Sequence, residues 1–216
     1  YIYWDETYGY LRESIQATFP DDQVGMYASS DFSKIIITTS SDKSPGSAYF
    51  YDPQEGGIVQ VAEYAPWLKD YELGDMIPFD FTSRDGLDLT GYITLPPDYR
   101  KGQKIPFIVH PHGGPNAKDR FGYNPEVQIY ATRGYGVIQV NYRGSVGFGL
   151  EKMKLANRQW SLKMHDDLLD ALDWANNKGF VDMNKVCISG ASYGGYSAMV
   201  GITKNADIFK LSLIHI

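Results

Sequence analysis

The stretch Val186-Cys187-Ile188-Ser189-Gly190-Ala191-Ser192-Tyr193-Gly194-Gly195-Tyr196 constrains the fold of this chain more than any other. An apolar run enters a Gly-x-Ser-x-Gly turn, and Tyr196-Ser197-Ala198-Met199-Val200 leaves it with residues that suit a helix. Strand, sharp turn and helix in that order is the setting in which a Gly-x-Ser-x-Gly match carries meaning. Ser192 takes the tip of the turn. Gly190 and Gly194, which lack Cβ atoms, let strand and helix approach closely. A glycine-rich loop with an incidental serine is the plainer reading, and it leaves the flanking strand and helix unexplained.

The residues upstream of this turn have the alternation that such a strand needs around it. Ile105 to Val109 and Gly136 to Asn141 are short, almost wholly apolar runs of the kind buried on both faces of a parallel sheet. Between them, Pro125 to Arg133 reads as a helix ended by Gly134. Met164 to Ala175 reads as another, with Leu168, Leu169, Leu172 and Ala175 on one stripe and Asp166, Asp167 and Asp170 off it, on a solvated face. Phe79 to Thr82 and Leu87 to Leu95 flank Arg84-Asp85-Gly86, a hairpin signal. Strands alternating with helices predict an α/β unit with a mainly parallel sheet over residues 77–216.

Residues 1–76 have a different period. After a short amphipathic helix from Leu11 to Ala17, stopped by Pro20, come four strand candidates: Val24 to Ser29, Lys34 to Ser40, Ser47 to Tyr51 and Ile58 to Ala62. Their even spacing and Asp/Gly/Pro turns predict the last blade or blades of a β-propeller, with a free-standing sheet domain as the alternative. The boundary is expected near residue 76.

A second motif complements Ser192. Ile105 to Val109 delivers His110-Pro111-His112-Gly113-Gly114-Pro115 to the C-terminal edge of the sheet. Acyl transfer through a serine develops negative charge on a carbonyl oxygen, and fixed backbone N–H groups stabilise it. In this architecture one donor is the residue after the nucleophile, here Tyr193, and another comes from the loop after an earlier strand. Other constellations carry less. His110 and His112 have no third metal ligand at matching spacing. Residues 144–149 are glycine-rich but lack the Gly-x-Gly-x-x-Gly order of a dinucleotide loop. No cofactor is expected.

Composition removes further classes. A net charge of −6 and the absence of a Lys/Arg cluster argue against a nucleic-acid groove. No apolar run is long enough to cross a membrane. Cys187, the single cysteine, excludes an internal disulfide and is expected as a small buried hydrophobe. The sequence opens at Tyr1 with no methionine and no signal peptide, a start that says nothing about where the parent protein lives; a cytoplasmic parent is the expectation, with periplasmic and secreted locations left open because the native N-terminus is missing.

Taken together, these motifs resemble the prolyl oligopeptidase family of serine peptidases, in its acylaminoacyl-peptidase and dipeptidyl-peptidase-V-like branch. The resemblance rests on Phe81 to Gly86 with Leu89-x-Gly91, His110 to Pro115, Asn141 to Ser145, Gly190 to Tyr196, and upstream on Ser40 to Gly46 with Tyr49 to Asp52. It implies an α/β-hydrolase fold preceded by propeller blades and a short-peptide substrate. It implies Ser192 as nucleophile, with the N–H groups of Gly114 and Tyr193 as the oxyanion hole. A homo-oligomeric parent is compatible with it. Arg143 and the Asp166 region fall at positions read as scaffold. Ser161 stands where such proteins often carry glycine, a departure that touches a turn rather than the chemistry. A carboxylesterase of the same fold and a non-catalytic scaffold remain as alternative functions.

The triad order in such hydrolases is Ser, then Asp, then His. The sequence runs 24 residues past Ser192 and offers only Asp207 and His215, neither at the positions the resemblance implies. Leu211-Ser212-Leu213-Ile214-His215-Ile216 breaks the preceding helix–loop rhythm and matches one translated frame of a sequencing adapter. The expectation is therefore a truncated gene product with a foreign tail over 211–216. It would leave Lys185 to Ser189 as an exposed apolar edge and the chain by itself poorly soluble and inactive.

Overall fold

Asp5 opens the first helix of the computed structural model, which describes residues 3–215. Its carboxylate accepts the Tyr8 N–H at 2.8 Å, capping α1 (Glu6–Thr18). Pro20, one residue beyond the C-cap, cannot continue the hydrogen-bond ladder. The helix begins five residues before the amphipathic stripe from Leu11 suggests, because its first turn is held by the cap rather than by packing.

Leu11 and Ile15, one turn apart, bury against an antiparallel meander of β1 (Gln23–Ala28), β2 (Ile35–Ser40), β3 (Ser47–Tyr51) and β4 (Ile58–Glu63), paired in chain order. Alternation sets the buried face: Val24 and Met26 on β1 and Ile35 and Ile37 on β2 point into this core. A single turn of 3₁₀ helix, Pro66–Asp70, follows. The chain divides into two compact units, one running to Glu72 and including Gly122–Asn124, the other comprising the remainder from Leu73.

The second unit is built on a mixed sheet. It contains β5 (Met76–Thr82), β6 (Asp88–Thr94), β7 (Ile105–Val109), β8 (Gly136–Asn141), β9 (Val181–Ala191) and β10 (Phe209–His215), in the spatial order β10-β9-β7-β8-β6-β5. β5, β6 and β8 pair antiparallel, whereas β8, β7, β9 and β10 run parallel. Pro78 is tolerated because β5 is an edge strand. Every residue of β8 is buried, as a central strand covered on both faces requires. Flanking the sheet are α2 (Pro125–Ala131), α3 (Leu150–Lys154), α4 (Lys163–Asn177) and α5 (Tyr193–Lys204). This is an α/β-hydrolase-like core.

Three expectations are corrected. The edge of β9 is not exposed: Phe209–His215, which takes in most of the stretch 211–216 read from sequence as breaking the rhythm, forms β10 and pairs with β9 from Phe209↔Val186 to His215↔Ala191. The exposed edge passes to β10, whose Leu211, Leu213 and Ile214 face solvent. Asp167 is not on a solvated helix face. It is fully buried, on the same side of α4 as Met164 and Ala171, where a buried arginine matches its charge. Cys187 is half-buried rather than buried, and burial still pushes its thiol up, away from reactivity.

Candidate active site

β9 ends at Ala191, and the chain reverses through Ser192 into α5 within one residue. Ser192 has φ 55° and ψ −121°, a backbone conformation that a residue with a side chain adopts at a cost of about 1–3 kcal/mol. The surroundings enforce it. A Cβ on Gly190 would lie 2.6 Å from the Gly194 carbonyl carbon, and one on Gly194 would run into the carbonyl oxygen of Pro111. The helix start can approach both its own strand and the loop after β7 only because these positions are bare. The Ser192 N–H donates to the His215 carbonyl at 3.1 Å, tying the turn to the end of β10.

The loop after β7 meets this turn. A Cβ on Gly113 would lie 3.4 Å from Ser192 Cβ and 3.9 Å from its Oγ. Sequence reasoning paired these motifs across nearly eighty residues, and the fold brings them into van der Waals reach. Tyr193 is the first residue of α5, so its N–H has no acceptor within the helix. The Tyr193 ring is buried against Tyr142 and Trp160, which pushes its phenol up to about 12 and keeps it protonated. The loop is braced from β8 outward. Asn116 donates to the Gly144 carbonyl at 2.9 Å, Val146 N–H to the Ala117 carbonyl at 3.0 Å, and Asp119 N–H to Asn141 Oδ1 at 2.8 Å.

The two histidines of the loop diverge. His110 Nε2 sits 3.9 Å from a Glu126 carboxylate oxygen and its ring packs edge-on to Tyr130. His112 stacks on Tyr142 and contacts Ser145. Among the described residues no group of three or more His, Cys, Asp or Glu side chains gathers into a metal site. Burial lowers both imidazole pKa values, so both rings are neutral at pH 7.

An ion cluster that sequence reasoning missed lies at the same sheet edge. Arg143, just past β8, donates from its backbone N, Nε and Nη2 to Asp167 at 2.9, 2.8 and 2.7 Å. Its Nη1 and Nη2 also reach Asp85 at 2.9 and 2.8 Å. Asp85 takes a further bond from Ser83 Oγ at 2.7 Å and an ion pair with Lys163 at 3.0 Å. Those partners, Arg143 first, hold the Asp85 carboxyl well below the usual range, while burial pushes Asp167 up. The cluster joins the β5–β6 turn, the loop after β8 and the start of α4. An arginine at a strand end, with an aspartate on an apolar helix stripe, was the available signal. The turn at Ser161 has φ 53°, the left-handed region that favours glycine, which locates the effect of that departure.

The Ser192 hydroxyl makes no hydrogen bond to a described residue. Asp207 is exposed and lies ahead of β10, at the end of that strand away from Ser192. His215 is beside the turn through its backbone, with its side chain exposed.

The model of the prolyl oligopeptidase family matches residues 121–216. Dipeptidyl aminopeptidase BIII of Pseudoxanthomonas mexicana is 36% identical over 203 residues, covering 91% of this chain and 30% of its own. The chain belongs to the prolyl oligopeptidase family of serine peptidases. Dipeptidyl peptidase family member 6 of Caenorhabditis elegans is 35% identical, with 83% of this chain and 27% of the relative covered. Among solved structures, Pyrococcus horikoshii acylaminoacyl peptidase superposes with a TM-score of 0.71 at 26% identity, over 88% of this chain and 30% of that one. The chain thus spans under a third of the length of these family members.

Proposed function

We propose that the protein carrying this chain is a serine peptidase that hydrolyses short peptides through an acyl-enzyme on Ser192. Ser192 Oγ attacks the scissile carbonyl carbon, and the N–H groups of Gly114 and Tyr193 receive the developing oxyanion. The amine leaves with a proton, and water then releases the acyl group. The observation that carries this reading is the strained Ser192 turn packed against Gly113, since it sets a hydroxyl and a glycine loop side by side at the sheet edge. The general base and its carboxylate are not supplied by Asp207 or His215 in this reading.

The antiparallel meander β1–β4 favours a peptidase over a carboxylesterase of the same core. We read residues 1–76 as the closing part of a β-propeller that limits access to small substrates. A Ser192 hydroxyl without a hydrogen bond among the described residues is what a non-catalytic scaffold would also show, so the test must separate the two.

The full-length protein is assayed on matched aminoacyl amide and ester substrates and with a fluorophosphonate probe. Amide hydrolysis and probe labelling, both abolished by Ser192→Ala, are expected. Ester turnover without amide turnover would establish the esterase. No labelling of folded protein would establish the scaffold.

A further inference from the structure

His165, in the first turn of α4, reaches across to the end of α5. The residue is 4% exposed, and its Nε2 lies 2.8 Å from Oδ1 of Asn205. An amide oxygen only accepts, so Nε2 carries the hydrogen of the neutral ring and Nδ1 is bare. That Nδ1 is buried and has no hydrogen-bond partner among the described residues.

Asn205 is where α5 stops. Its N–H closes the helix on the Gly201 carbonyl at 2.9 Å, and its own carbonyl accepts the N–H groups of Ile208 at 2.9 Å and Phe209 at 3.0 Å. Phe209 opens β10 and is itself buried. The histidine therefore holds the far end of the helix that starts at Ser192, together with the turn that leads into the next strand.

This contact suits a neutral ring. An imidazolium gains a hydrogen on Nδ1 with no acceptor for it among the described residues, and an unmet buried donor is costly. Its charge would lie near the N-terminus of α4, the positive end of the helix dipole. Lys204 on α5 and Arg84 on the β5–β6 turn repel that charge, while Asp166 on α4 attracts it. Asp166 is shared, because Arg84 approaches it at 3.5 Å as well as pairing with Asp170 at 2.7 Å. Lys204 is fixed nearby by its bond to the Ser161 carbonyl at 2.6 Å. Burial is the largest influence, and it lowers the imidazole pKa despite the contacts with Asn205 and Asp166.

We propose that the His165–Asn205 contact is an acid-sensitive latch on the far end of α5. At neutral pH it docks that end against α4. In acid the ring takes up its proton by opening the junction to water, which releases residues 205–209 while the sheet stays folded. The opened form binds the proton more readily, with an ordinary imidazole pKa of about 6.5. Docking is therefore complete above that value and is lost as pH falls through it towards the lower docked value.

Hydrogen exchange of the full-length protein reads the latch directly, followed by mass spectrometry from about pH 7.5 to 5.0 and normalised to intrinsic rates. Peptides covering residues 201–209 should lose about 10-fold in protection over that range, with the β8 stretch 136–141 unchanged. His165→Gln retains an amide N–H for Asn205 but cannot titrate, so its protection should be level with pH. Asn205→Asp offers the imidazolium a carboxylate, so it should also hold protection level, and it decides the matter if His165→Gln does not fold. A loss that persists in the folded variant would overturn the proposal, because the proton would then be taken up elsewhere, as at His110 or His112. Level protection in the parent, or an equal loss in β8, would overturn it too.

Discussion

Two polar constructions stand at the same end of the parallel strands, and they are built on opposite principles. Around Arg143, the backbone N, Nε and both terminal nitrogens meet a carboxylate. Around Ser192, a positive φ is enforced by bare glycines and the hydroxyl has no described partner. The first is saturated and positions three segments. The second keeps strain, and its hydroxyl is held by no hydrogen bond among the described residues. Saturation there and openness here belong together: the strained turn persists only while its neighbourhood is rigid.

The contrast is sharpest at Arg143. Arg143→Ala leaves Asp167 buried and unpaired, and a loss of about 3–5 kcal/mol is expected from urea denaturation of the folded chain. A loss below about 1 kcal/mol would break the comparison, since the cluster would then be decorative.

The loop after β7 contains an unfinished pair of its own. Gln139 Nε2 donates to Asp119 Oδ1 at 2.8 Å, yet the buried Asp119 Oδ2 and Gln139 Oε1 have no partner among the described residues. Burial pushes the Asp119 carboxyl up to about 7. Its folded pKa therefore lies above the unfolded value, so the folded state binds the extra proton. The stability it contributes is complete below the unfolded pKa and is lost as pH rises towards 7, at a limiting slope of about 1.4 kcal/mol per pH unit. Asp119→Asn, which preserves the shape without the titration, should flatten that slope in chemical denaturation followed from pH 4.5 to 7.5. An unchanged slope would remove Asp119 from the comparison.

The smallest expected effect tests the strain itself. Ser192→Gly should raise stability by about 0.5–1 kcal/mol, as relief of the positive φ outweighs the added freedom of the unfolded chain. A destabilised variant would mean that the turn is comfortable and that openness, not strain, distinguishes it.

What could be read from sequence follows from how local each signal is. β3, β7 and β8 sit where alternation or continuous apolarity put them, and the Ser192 turn could be read because its glycines adjoin it. The first turn of α1 was not legible, since it hangs on the Asp5 cap. Asp167 was misread because hydrophobic periodicity ranks a carboxylate as outward-facing. Its partner, Arg143, is 24 residues away and is found only by folding. β10 was missed because Leu211 to His215 lacks the flanking punctuation that marks the other strands, and its place is defined by pairing with β9. The ring contacts of His112 depend on Ser145, 33 residues further along, and nothing within His110 to Pro115 announces them.

The contact of Gly194 with the Pro111 carbonyl has a consequence for anyone who would redesign this enzyme family member. It is made between two main chains, so there is no side chain to exchange and no library of substitutions that could adjust it. The distance between the Ser192 turn and the loop after β7 is therefore a quantity that point mutation can spoil but hardly tune. New specificity would have to be written into the walls around the pair, leaving their separation as inherited.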